Sequence, residues 1–167
     1  LDLGVNLELN ARVDDILDAM TEGPFDAAFL AVGAHIAKRA YIPAGDASRI
    51  LDAIGLLRGM ETGEKPCLGR RVLVYGGGNT AMDAMRVSLR VGAEKVSCIY
   101  RRSAAEAPAR AEEIHHAQQE GIDFQWLTSP LELIGDSHNN VRAMRCQRME
   151  LGEPDASGRR RPVPVAG

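Results

Sequence analysis

Three consecutive glycines, Gly76-Gly-Gly78, separate an apolar run from an amphipathic one, and that junction constrains the fold more than any other part of the 167-residue chain. Arg71-Val-Leu-Val-Tyr75 reads as a strand. Residues 79–91 read as a helix with Met82, Met85, Val87 and Leu89 available for packing. Gly92 falls where a left-handed C-terminal cap closes a helix, and Val96-Ser-Cys-Ile-Tyr100 is a second strand. Strand, turn, helix and strand within about 30 residues make a βαβ unit, whose crossover is right-handed almost without exception. The expectation is an α/β fold around a parallel sheet.

The flanks extend this pattern. Pro108 is expected to open a helix that runs to about Gln119 before Gly121, and Ile122-Asp-Phe-Gln-Trp126 reads as a third strand. Beyond Leu131 the helical period disappears. Strand-like pieces at 131–134, 141–150 and 160–165, with turns at 135–140 and 152–158, predict an antiparallel β excursion. Upstream, Val5-Asn-Leu-Glu-Leu9 alternates like a short strand, and Val13, Ile16, Leu17 and Met20 recur at helical spacing. Phe25-Asp-Ala-Ala-Phe-Leu-Ala-Val32 is a continuous apolar run of the length of a covered parallel strand. A connector at 34–46 and a short helix at 50–57 complete the order.

Composition excludes several classes. A hydrophobic content of 45% and a charged content of 26% belong to a globular chain, and a net charge of -3 offers no electrostatic argument for nucleic acid or an anionic membrane. The longest apolar stretch, 27–34, falls far short of the ~20 residues that cross a bilayer. No secretory signal opens the chain, so a cytoplasmic protein is expected. Cys67, Cys98 and Cys146 are widely spaced, without CxxC or Cys–His clustering, so no metal site is expected within the chain. The chain starts at Leu1 rather than Met and stops just after a strand-like run, which reads as a piece of a longer protein.

Gly76-x-Gly78-x-x-Ala81 fits the dinucleotide fingerprint with alanine in its third position. The first glycine permits the tight turn, the second lets backbone approach a pyrophosphate, and the small third residue lets helix and strand pack closely. The phosphates would sit on free N–H groups at the positive end of the helix. Such a fingerprint alone is weak; here it follows a strand and opens a helix, the context that the chemistry requires. No Gly-Lys-Ser/Thr follows, which disfavours a nucleotide triphosphatase loop.

The end of the second strand selects the cofactor. A site for NAD carries Asp or Glu about 20 residues on, to hold the ribose 2′-hydroxyl. Twenty residues past Ala81 stands Arg101 instead, followed by Arg102. Two guanidinium groups suit a 2′-phosphate that a carboxylate would repel. Two charge-assisted hydrogen bonds at about 1.5–3 kcal/mol each allow a preference of roughly a hundredfold at about 1.4 kcal/mol per tenfold. NADPH is favoured over NADH.

Gly76-Gly-Gly-Asn-Thr-Ala-Met-Asp83, Tyr100-Arg-Arg-Ser103, Glu112-Glu-Ile-His-His-Ala117 and the run from Met149 to Arg161 together resemble the small (beta) subunit of glutamate synthase. The same module occurs in related NADPH-dependent subunits and in dihydropyrimidine dehydrogenase. The resemblance spans nearly the whole chain and implies a Rossmann-like parallel sheet of the FAD/NAD(P)-binding type. It implies a pyrophosphate site at Gly76, Gly78, Asn79 and Thr80, beside Ala81, and a 2′-phosphate site at Arg101 and Arg102. It also implies that residues 1–45 are the remnant of an FAD domain with its hinge. Residues 46–167 would be an NADPH-binding domain that lacks its last strand. Glu106-Ala-Pro108 departs from the family's Glu-Met-Pro. The family's FAD segments and iron–sulfur cysteines lie outside these residues.

The function so implied is an NADPH-binding module of an oxidoreductase that passes hydride to FAD and electrons on to iron–sulfur clusters. Its partner would be a larger catalytic subunit or a ferredoxin-like acceptor, with NADPH bound here and FAD and the clusters held only in the full-length protein. Alternatives are the equivalent subunit of a formate dehydrogenase or ferredoxin:NADP oxidoreductase, or a non-enzymatic NADPH-binding redox sensor. No catalytic side chain is assigned, since hydride transfer needs positioning more than an acid or base. His115 and His116 are adjacent, about 100° apart on a helix, and cannot chelate one ion. Asp83 and Arg86 are expected as a helix-surface pair or a packing contact, and Arg159-Arg-Arg161 as a solvated hairpin. No Gly-x-Ser-x-Gly supports a hydrolase. The chain alone should be colourless and inactive, with 26–32 filling the open edge of the sheet as a parallel strand, in the same chain or by exchange with a second copy.

Overall fold

The computed structural model describes residues 3–33, 40–156 and 158–166. The chain divides into two compact units, Leu1–Ala34 and His35–Gly167. Among its described residues the first contains one helix, α1 (Ile16–Glu22). Asp15 starts it by accepting the N–H groups of Leu17 and Asp18 at 2.8 and 3.3 Å, which satisfies donors that the first turn leaves free.

The strands expected at 5–9 and 26–32 do not form. Both segments are irregular, and no ladder joins 26–32 to any strand among the described residues, so the expected filling of the sheet edge within the same chain is corrected. The pattern that suggested them is apolar, but a strand is stabilised by the neighbours it pairs and packs with. Phe29, in the middle of the run, is 92% exposed. Part of the expected connector, 34–39, lies outside the described residues.

The second unit carries the βαβ core. Helix α2 (Ala53–Glu61) is capped by Asp52, which accepts the Gly55 N–H at 2.7 Å. Strands β1 (Arg71–Tyr75), β2 (Lys95–Ile99) and β3 (Asp123–Gln125) form a parallel sheet in the order β1-β2-β3. Val72 pairs with Val96 and Cys98 with Phe124. Helix α3 (Asn79–Arg90) crosses from β1 to β2, and α4 (Ala111–Gln119) from β2 to β3. Both helices end alike. After α3 the N–H of Ala93 reaches Ser88 O and that of Gly92 reaches Leu89 O; after α4 Ile122 and Gly121 repeat this on Ala117 and Gln118. These paired bonds need a left-handed residue, which Gly92 (φ 105°) and Gly121 (φ 87°) supply.

The core lies between α3, β2 and α4. Met82, Met85, Val96 and Cys98 are completely enclosed, with Ile114, Ala117 and Ile122 around them. Ser88 is enclosed too, and its hydroxyl donates to Ala84 O at 2.7 Å. Arg86 makes no ion pair with Asp83. It reaches across to α4, donating to Glu120 at 2.7 Å and Glu113 at 3.0 Å.

The antiparallel excursion is a separate three-stranded sheet, β4 (Thr128–Gly135), β5 (Val141–Pro154) and β6 (Arg160–Pro164). Its connection to the parallel sheet is immediate. Leu127 N–H donates to Arg102 O and Thr128 N–H to Tyr100 O, both at 3.0 Å. Among the described residues no helix is long and apolar enough to cross a membrane.

Candidate functional site

The three glycines turn the chain from β1 into α3, and each does so under a different constraint. Gly76 has φ 153°, a conformation that side chains disfavour, and a Cβ there would lie 3.4 Å from that of Ala81. The small residue at 81 is thus what lets the helix start this close to the strand. Gly76 N–H donates to Ile99 O at 3.1 Å, and the Cys98 thiol donates to Gly76 O at 3.3 Å, so the end of β2 holds the turn. Gly78 caps α3 with extended backbone, and a Cβ there would meet nothing nearer than Pro108 Cγ at 3.9 Å.

Gly77 is the position that sequence reasoning left undefined. A Cβ on it would stand 2.8–2.9 Å from three atoms of the Tyr100 ring. That ring is buried, set edge-on to Trp126 at 6.1 Å, with its hydroxyl donating to Glu106 O at 3.3 Å. Trp126 in turn stacks on Phe124 at 4.9 Å. An aromatic column therefore stands behind the turn.

The segment before α4 closes the other side. Ala109 N–H donates to Gly77 O at 2.9 Å, and Arg110 N–H to the Asn79 side-chain oxygen at 3.1 Å. The helix expected from Pro108 begins instead at Ala111, because Arg110 before it has extended backbone and serves as its cap. The Tyr100 ring and the Ala109–Arg110 backbone gave no local sign of these roles.

At the N-terminus of α3, the N–H groups of Asn79 and Thr80 have no acceptor among the described residues, as the first turn of a helix requires. Both residues are exposed. Gly78 leaves the approach to them open. Free donors, the positive end of a twelve-residue helix and an uncovered glycine together fit a phosphate group.

Arg101 and Arg102, expected as one clamp, stand apart. Arg101 is exposed, and its side chain makes no hydrogen bond or ion pair among the described residues. Arg102 is 5% exposed. Its Nε donates to Arg160 O at 2.7 Å and its Nη2 to Asp155 at 2.6 Å, both on the β5–β6 hairpin. Asp155 lies more than fifty residues from the strand end that it serves, beyond the reach of local sequence reasoning. His115 and His116 are exposed on α4, and no three His, Cys, Asp or Glu side chains among the described residues form a group that could hold a metal ion.

Comparison with known proteins agrees with this architecture. Residues 4–155 match the family described as pyridine nucleotide-disulphide oxidoreductase. The chain is 43% identical to the NADP(+)-dependent formate dehydrogenase subunit beta of Moorella thermoacetica, across 99% of this chain and 24% of that protein. It is 41% identical to the NADPH-Fe(3+) oxidoreductase subunit beta of Geobacter sulfurreducens, across 99% and 25%. The glutamate synthase [NADPH] small chain of Escherichia coli, the relative that the motifs resembled, is 36% identical across 99% and 38%. The chain thus spans about a quarter of the first two relatives. Among solved structures, a point mutant of FprA from Mycobacterium tuberculosis superposes with a TM-score of 0.63 at 20% identity, over 81% of this chain and 46% of that one, which shows the expected fold. On its sequence match and its parallel βαβ core, the chain belongs to the pyridine nucleotide-disulphide oxidoreductase family.

Proposed function

We propose that the chain is the NADPH-binding module of a larger flavoprotein oxidoreductase. The observation that carries this reading is the pairing of an open glycine turn at the N-terminus of α3 with an unpaired guanidinium, Arg101, at the end of β2. The N–H groups of Asn79 and Thr80 hold the pyrophosphate beside Gly78, and Gly76 and Ala81 set the closeness of the turn. Arg101 meets the 2′-phosphate. NADPH supplies the hydride; the chain's own work is to bind and orient it, and no side chain here is assigned as an acid or base.

The printed names of the relatives support the nicotinamide reading, since NADP(+) or NADPH occurs in all three. Their greater length supports a larger whole. In that whole, residues 1–45 end an FAD domain and its hinge, and residues 46–167 bind NADPH. FAD and iron–sulfur clusters held outside this chain carry electrons to a larger catalytic subunit or a ferredoxin-like acceptor in the cytoplasm. The 43% identity with a formate dehydrogenase subunit favours an acceptor of that type as a second reading beside glutamate synthase.

Calorimetric titration with NADPH and NADH tests the nucleotide assignment. NADPH should bind at least tenfold tighter, the preference that one charge-assisted hydrogen bond supports at about 1.5–3 kcal/mol. Equal affinities would end this reading.

A further inference from the structure

We propose that Arg101 alone carries the preference for NADPH, and that Arg102 is a positioning residue that latches the β5–β6 hairpin to the end of β2 and so holds Arg101 in place. This rests on the nucleotide reading above.

Adjacent arginines at a strand end look equivalent in sequence, but burial separates them. With its side chain 7% exposed, Arg102 has Nε on the Arg160 carbonyl and Nη2 on the Asp155 carboxylate. To turn its Nε and Nη2 to a phosphate it would have to give up both acceptors, one of them a charged carboxylate. Its charge is also largely cancelled by Asp155 at 2.6 Å, which reduces what it offers a second anion. Arg101 has neither restriction.

The latch has a second half. Arg160 N–H donates to Glu106 Oε2 at 3.1 Å, while its guanidinium donates to Leu151 O at 2.7 Å and Gly152 O at 3.1 Å. The hairpin residue that receives Arg102 is therefore fixed to the facing strand β5 and to the short 3₁₀ turn Ala104–Glu106. On the near side, the carbonyls of Tyr100 and Arg102 are both occupied by the β3–β4 connection. Arg101 is thus held between two anchored neighbours, with only its side chain free to reach a ligand.

The test measures NADPH and NADH affinities of the intact protein by calorimetry, alongside thermal stability, for three forms. Wild type must prefer NADPH; equal affinities would refute the underlying nucleotide reading and the latch with it. Arg101→Gln should bring the NADPH:NADH ratio to about one with NADH affinity kept. A remaining preference of about tenfold, worth about 1.4 kcal/mol, would show that a second cation holds the phosphate and would overturn the proposal.

Asp155→Asn keeps the shape of the latch and removes its charge. The ratio should fall by about tenfold, the scale on which residues of one hydrogen-bond network couple, again with NADH affinity kept. If Arg102 is itself the phosphate ligand, Asp155→Asn frees it and the ratio rises. A purely structural contact lowers the melting temperature and leaves the ratio alone. Either result would overturn the latch.

Discussion

Gly77 and Tyr100 meet with no space for a methyl group between them: a Cβ on Gly77 would stand 2.8 Å from Cε2 of the ring. The ring is buried, with Trp126 at its edge and its hydroxyl on Glu106 O, so it cannot swing aside as a flexible side chain would. Gly77→Ala should therefore cost about 1–3 kcal/mol, the usual range for overpacking a filled interior. Chemical denaturation measures this, and an unchanged midpoint would show that the column yields.

Gly78→Ala is the informative contrast. The position has extended backbone and its nearest obstacle is 3.9 Å away, so alanine fits the protein. Loss of a glycine N-cap to alanine should cost no more than about 1 kcal/mol. The added methyl group would instead occupy the side on which a pyrophosphate approaches the free N–H groups of Asn79 and Thr80. Nucleotide affinity should drop at least tenfold for both NADPH and NADH, since both share the pyrophosphate. A variant that binds both normally would locate the phosphates elsewhere.

Local signals made part of this legible. Strand β1 was expected at Arg71–Tyr75 and occurs there, because an apolar run that ends at three glycines leaves no other reading. The α3 boundary differs by one residue at its C-terminus, where Gly92 marks the cap. What failed depended on partners distant in sequence. The apolar run at 26–32 signals burial, yet nothing in it states which strand it would pair with, and among the described residues it pairs with none. The different surroundings of Arg101 and Arg102 come from Asp155 and Arg160, brought back by a hairpin whose docking no local period encodes.

The α3–α4 pair makes a pH-dependent contribution whose sign follows from Glu120. Hydrogen bonds from Arg90, and then from Arg86, hold its carboxyl below the usual carboxylate range. A carboxyl lowered on folding stabilises the protein above its unfolded value, about 4.3 for glutamate, and that contribution is lost as pH falls through the folded value. The melting temperature of wild type should thus decline as pH is lowered through this range. Glu120→Gln should melt lower at pH 7 and show a shallower decline. Parallel pH profiles for the two proteins would remove Glu120 from the account.

The cysteines give a reading of the same turn from beneath. Cys67 and Cys146 are exposed, whereas Cys98 is buried in β2 with its thiol on Gly76 O at 3.3 Å. Burial pushes the Cys98 thiol up to about 12, so its reactive thiolate is scarce at pH 8 even before access is considered. A thiol reagent should modify two cysteines rapidly in the native protein and the third only as β2 opens. Opening breaks the hydrogen bonds that hold the glycine turn, so bound nucleotide must oppose it. At a free NADPH concentration of about 100 times Kd, the open state becomes scarcer by roughly a hundredfold, or about 2.7 kcal/mol. Cys98 labelling should slow by that factor where the open state precedes modification, while Cys67 and Cys146 continue at their own rates. Mass spectrometry of the labelled peptides distinguishes the three sites. Labelling of Cys98 that ignores saturating NADPH would separate β2 opening from nucleotide binding and break the link between the thiol, the turn and the cofactor.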